Sequence, residues 1–228
     1  MDAARVAMLR QLLDGTDWVD RTQSFARSLR RSTRTPGGLL LVGTPQEEPW
    51  HFAAHLDDEA RYSGVPELSP TLVRWAPPPG APPHLSIGLE RIEAARRGES
   101  LLVIAPDVAP ASLLERVDDA RRIGATIFTV DGGDKELGGL AHDALVVPSR
   151  GLIVPGDTRE TGATGVTTVP DTSLLGLDTP EMSFDAVEHL ISLAAGETAH
   201  DGPTQRRGLR DRLARAIDAI SGPVAHDD

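Results

Sequence analysis

His51 and His55 stand four residues apart within Trp50 to Tyr62, a stretch read as a helix. At i and i+4 both imidazoles can face one point, as they do at helical zinc sites. The plainer reading makes them two ordinary, partly buried histidines. A histidine can also act as a base near pH 7, because its unperturbed charge change falls in that range. The 228 residues contain no cysteine, which excludes disulfides, thiolate nucleophiles and cysteine-based zinc sites together. A net charge of -11 argues against nucleic acid and anionic membrane as partners, since neutralising phosphates needs clustered Lys and Arg.

The elements that must position these side chains follow from the apolar pattern. Leu101-Leu102-Val103-Ile104 and Thr126-Ile127-Phe128-Thr129-Val130 are short unbroken apolar runs, the signature of parallel strands buried on both faces. Between them Leu113, Leu114, Val117 and Ala120 recur at helical spacing, with charged residues at the other positions, and Gly124 is placed to stop the helix. A strand, a helix and a strand in this order predict a right-handed βαβ unit, so the fold class is α/β. Upstream, Leu39 to Val42 reads as the first strand, with Gly43 to Pro49 as the loop at its carboxyl end. Thr71 to Trp75 reads as a second strand, and the five prolines between Ala76 and Pro83 as a stiff connection. Leu89 to Arg97 and Asp134 to His142 are expected helices, and Ala144 to Val147 is the fifth strand.

The flanks are helical in pattern. Ala3 to Leu13 and a second stretch from Asp17 to about Arg31 precede the sheet, and Phe184, Val187, Leu190 and Ile191 mark a strongly apolar helix capped by Ser183. Arg150 to Pro180 is rich in Gly, Thr and Pro, a composition suited to a lid, small hairpins or a loop. The expected organisation is one domain over residues 1–200, followed by a helix and tail over 201–228. No window approaches eighteen apolar residues and no signal-type segment opens the chain, so a cytoplasmic protein without membrane or direct nucleic-acid contact is expected. The apolar surface of Phe184 to Ala194 and of the N-terminal helices exceeds what one sheet face covers, which predicts a homo-oligomer, dimer or tetramer.

Several segments in this order resemble the sugar isomerase (SIS) domain family. Leu39-Leu40-Leu41-Val42-Gly43 is similar to the family's strand entering a Gly-rich loop. His51-Phe52-Ala53-Ala54-His55-Leu56 is similar to its His-Phe-Ala-x-Glu-Leu helix, and Ala120 to Ala125 and Asp131-Gly132-Gly133 through Gly139-Leu140-Ala141 continue the match. Within the family the chain resembles the phosphoheptose isomerase branch, which also includes the replication-initiation regulator DiaA. The resemblance runs over roughly residues 17–195. It implies a flavodoxin-like three-layer sandwich with a five-stranded parallel sheet, assembled through its outer helices.

The resemblance also assigns residues, and the chain departs from it. The isomerases move a proton with a Glu, here His55, and a late His, here His189. Some bind zinc through four positions that correspond to His51, His55, Glu181 and His189. Their phosphate loops are rich in Gly, Asn and Ser, whereas here they are Gly43 to Pro49 and Ala105 to Ser112. Prolines remove backbone donors, and Glu47, Glu48 and Asp107 set negative charge where a phosphate dianion would lie. Thr44 and Ser112 are the hydroxyls left for a ligand, with Asp107 beside them, and Ser112 also reads as a helix cap. Four functions stay open: a non-catalytic SIS-fold protein that binds a small metabolite or a protein partner; a metal-dependent enzyme using the His cluster; a sugar-phosphate isomerase; and a structural oligomer.

Overall fold

The computed structural model of the protein describes residues 18–147 and 184–196. Five strands form one parallel sheet: β1 (Leu39–Val42), β2 (Thr71–Val73), β3 (Ser100–Ala105), β4 (Thr126–Asp131) and β5 (Asp143–Val146). Their order is β2-β1-β3-β4-β5. Every residue of β1 and β3 is buried, which is what their unbroken apolar runs require of strands covered on both faces.

Alternation along the strands divides the core into two layers. Leu39, Leu41, Leu102, Ile104, Phe128 and Val130 face α1 (Trp18–Ser32), α2 (Trp50–Ser63) and α6 (Phe184–Ala195). Leu40, Val42, Leu101, Val103 and Ile127 face α3 (Glu90–Glu93), α4 (Ala111–Ile123) and α5 (Lys135–Leu140). In the first layer Phe25 of α1 meets Phe128 edge to face, with centroids 5.6 Å apart and planes at 85°. Such a pair adds about 1 kcal/mol beyond its burial. Gly124 ends α4 in the left-handed region (φ 105°), from which Ala125 N–H donates back to Ala120 O.

The strand order reverses between β1 and β3, so the crevice of this sheet lies at their carboxyl ends. Three loops meet there: 43–49 after β1, 106–110 after β3 and 132–134 after β4.

Three elements end two or more residues short of their expected bounds, each for a local reason. The helix expected to reach Arg97 ends at Glu93, because the Glu99 carboxylate accepts from the Arg91 guanidinium and from Arg96 N–H and folds the chain back. The strand expected to reach Trp75 ends at Val73, because Arg74 leaves β1 and bridges to Gly88. The helix expected to reach His142 ends at Leu140, since His142 is drawn into the sheet: its N–H donates to Ile127 O at 2.8 Å and its Nδ1 accepts from Ile127 N–H at 2.9 Å. The Ala3 to Leu13 helix, the Arg150 to Pro180 segment, Ser183, and the linker, helix and tail beyond Gly196 lie outside the described residues. No helix among the described residues is long and apolar enough to cross a membrane.

Candidate functional site

The helix α2 leaves the carboxyl end of β1, so its first turns, bearing His51 and His55, sit at the crevice side of the sheet. Against it lies α6. His55 Nε2 is 3.1 Å from His189 Nδ1, and the two rings meet edge to face with centroids 4.2 Å apart. One turn further along α2, the Glu59 carboxylate packs so closely on Gly196 that a methyl group there would overlap its Oε2. Because the contacts advance together on both helices, α2 and α6 run in the same direction, away from the crevice.

The result is a polar seam in an apolar layer. Glu59 and Glu188 are buried, as is Ser192, whose hydroxyl donates to His189 O at 2.8 Å. Around them stand Phe52, Leu56, Val187 and Ile191, all fully buried. Buried polar groups persist only where they find partners, and a seam of this kind fixes how two helices register against each other.

One proton lies between the paired ring nitrogens, and this couples the two tautomers. If His189 Nδ1 carries it, neutral His189 has a bare Nε2, and neutral His55 carries its own proton on Nδ1. If His55 Nε2 carries it, the far nitrogens exchange roles. Either way the neutral pair offers one N–H donor and one acceptor at its outer ends. Burial, and then the charge of His55, hold the His189 imidazole below its ordinary pKa, so the neutral form is favoured.

The other expected ligands are placed differently. His51 is exposed and stacks on Trp50, with ring centroids 3.5 Å apart and planes at 29°. Glu181 lies outside the described residues. Two imidazole nitrogens 3.1 Å apart suit one edge of a zinc tetrahedron, which for bonds of 2.0–2.1 Å is about 3.3 Å long. Among the described residues, however, no group of three His, Cys, Asp or Glu could hold a metal. Of the four expected ligands, the described residues bring together two, His55 and His189.

The residues expected at the crevice lie in a region closed by its own bonds. Thr44 is buried and its carbonyl accepts from Glu47 N–H, which folds the loop after β1 back over Gly43. A methyl group on Gly43 would overlap Glu47 O and lie 2.6 Å from Pro49 Cδ. Asp107 and Ser112 are exposed. Ser112 is the second residue of α4 and does not cap it; Pro110 occupies the cap position.

Sequence reasoning missed the groups that close the crevice. Glu48 does more than oppose a phosphate: its Oε2 accepts from Arg74 Nε at 2.9 Å and Nη2 at 2.6 Å, and its Oε1 accepts from Trp75 N–H at 3.2 Å. Trp75 Nε1 donates to Gly43 O at 2.8 Å. On the other side, Asp134 caps α5 by accepting from Glu136 and Leu137 N–H, and also accepts from Ala109 N–H of the loop after β3. Asp131 Oδ1 accepts from Gly133 and Asp134 N–H, while its buried Oδ2 has no partner among the described residues. An arginine just past a strand, facing a glutamate in the preceding loop, was the available signal.

Neither a protein-family profile nor a curated protein sequence matches the chain. Among solved structures, the chain is similar to a proposed sugar binding protein from Salmonella typhimurium LT2, with 14% identity and a TM-score of 0.51. The match covers 93% of this chain and 54% of that one, so this chain spans about half of that protein's length. A proposed phosphosugar isomerase from Silicibacter pomeroyi DSS-3 aligns at 14% identity and a TM-score of 0.49, over 92% of this chain and 53% of that one. At this identity the Salmonella structure speaks to the fold alone, and the fold is an α/β sandwich around a five-stranded parallel sheet, as the sequence resemblance implies.

Proposed function

We propose that this chain is a non-catalytic protein of the sugar-isomerase fold that binds a small, unphosphorylated carbohydrate derivative beside His55 and His189. The carrying observation is the histidine pair itself. With one donor and one acceptor at its outer ends it matches a sugar hydroxyl, which both donates and accepts. No carboxylate stands at position 55 to serve as the base that the isomerase resemblance implies. A phosphate would meet a chain of net charge -11 and loops already tied to their own side chains. The fold shared with a proposed sugar binding protein agrees with this ligand class. The chain works as a homo-oligomer, dimer or tetramer, in the cytoplasm.

A thermal-shift series with neutral sugars, amino sugars and their 6-phosphates tests the reading. A saturable shift with an unphosphorylated sugar, lost in His55→Ala, is expected. Incubating aldose and ketose phosphates with the protein in D2O should leave the C1 and C2 protons unexchanged; deuterium incorporation there would identify an isomerase instead.

A second reading is supported by the 3.1 Å nitrogen separation: a zinc ion held by His55 and His189 and completed by Glu181. Metal analysis of protein purified without chelator or nickel resin decides it, with one zinc per chain as the positive result.

A further inference from the structure

We propose that Arg74 and Trp75 form an oxyanion seat at the carboxyl edge of the sheet, and that the chain keeps this seat filled with its own Glu48. The donors and the carboxylate come from different elements. Arg74 and Trp75 follow β2, and their position is set without Glu48: Arg74 N–H donates to Ile87 O at 2.9 Å, Arg74 bridges to Gly88, and Trp75 Nε1 donates to Gly43 O. Glu48 arrives from the loop between β1 and α2. It receives two guanidinium N–H groups on Oε2 and one backbone N–H on Oε1, a donor set that would hold the oxygens of any carboxylate or phosphate monoester. Both side chains are largely shielded, with 23% of Arg74 and 17% of Glu48 exposed, so the charge pair is more than a surface contact.

Glu48 therefore acts as an internal anion. Tethered by a short loop, it is present at an effective concentration of about millimolar or more, and an external anion must compete with it. This rests on the reading of the wild-type protein as one that declines phosphorylated sugars, and gives that preference a physical cause. The ligand class admitted when Glu48 withdraws is a small metabolite bearing a carboxylate or phosphate.

The test removes the internal anion and supplies an external one. Thermal unfolding of the full chain is followed with inorganic phosphate or acetate at constant ionic strength. Glu48→Ala should show a saturable rise of about 4 °C at ten times Kd, as expected for a ligand that binds only the folded state. Wild type should move by under about 1 °C over the same range, and Glu48→Ala combined with Arg74→Met should be as flat as wild type. Glu48→Gln keeps a side-chain carbonyl for Arg74 and Trp75; it serves if the alanine variant does not fold, with a weaker rise expected. Either anion acting in this way upholds the seat, and the preferred anion names its class. Flat responses from both Glu48 variants, or an equal response from the double variant, would overturn it. Because neutral-sugar binding is measured separately on wild type, loss of the seat leaves the proposed function standing, and the reverse.

Discussion

The crevice loops and the α2–α6 seam both bury polar groups at one end of the same sheet, but they satisfy them by opposite means. In the crevice, unlike groups meet: the Glu48 carboxylate meets a guanidinium and an amide, and Asp134 meets three backbone N–H groups. Such charge-assisted bonds are the strong ones, and backbone groups there have little room to move. In the seam, two like groups share a proton, and burial holds His189 toward its neutral form. The first arrangement locks a loop shut. The second leaves one donor and one acceptor on the far nitrogens of the pair, which is why the ligand is assigned to it.

The sharpest way to break this comparison is to add one methyl group in each region. In Gly43→Ala the new Cβ overlaps a backbone carbonyl and faces the ring of Pro49, neither of which can rotate away. The loop must be displaced, and a loss of about 3 kcal/mol is expected from overpacking. In Gly196→Ala the Cβ meets the far end of the Glu59 side chain, which can swing aside, so a loss of about 1 kcal/mol is expected. Urea midpoints of the two variants check this. Equal losses would mean that the crevice loop is no stiffer than the seam.

Asp134→Ala comes next. It removes the cap of α5 together with the bond that ties Ala109 to it, so that three backbone donors lose their acceptor. Capping losses of about 1 kcal/mol, with a similar cost for the stranded Ala109 donor, give about 2 kcal/mol. Faster amide exchange at 109, 136 and 137 should accompany it. Unchanged exchange at those sites would show that Asp134 does not hold the two loops together.

How much of this was legible in sequence depended on the range over which each cause acts. The runs of β1, β3 and β4 were readable because double-sided burial forces an unbroken apolar run. The Asp134 to His142 helix was read too long because His142 has helical neighbours but is captured by Ile127, fifteen residues away. Glu99 shortens α3 through Arg91 in the same manner. At the site, the i, i+4 spacing drew attention to His51 and His55, yet His51 stacks on Trp50, and the partner of His55 lies 134 residues along the chain. Spacing could not supply that partner; the family resemblance did, residue by residue. Arg74 and Glu48 had neither a period nor a family position to announce them.

The seam itself can be taken apart by a double-mutant cycle. His189→Leu alone leaves His55 Nε2 facing an apolar group, and His55→Leu alone strands His189 Nδ1, so each single change should cost about 1 kcal/mol. Replacing both with leucine removes the stranded group as well as the bond, and should be near neutral in stability while abolishing sugar binding. Additive losses in the cycle would show that the two rings do not interact.

The smallest effect expected is the dependence of stability on pH, and it separates the regions by sign of charge. In the folded protein His189 titrates below its ordinary value, first because it is buried and then because of His55. In the unfolded chain it takes up its proton near pH 6.5. Between these two points the unfolded state binds more protons than the folded one, so stability rises with pH through that window. The contribution of the seam is therefore fully present above about pH 6.5 and is lost as pH falls below it toward the lowered folded value. Denaturant midpoints measured from pH 7.5 down to pH 5 should fall for wild type and fall less for the His55→Leu, His189→Leu double variant. Glu48→Gln, which changes the crevice alone and leaves both imidazoles in place, should keep the wild-type slope over this range. A wild-type midpoint that held steady across pH 6.5, or a slope that survived loss of both histidines, would remove the neutral imidazole pair as the feature that distinguishes the seam from the crevice.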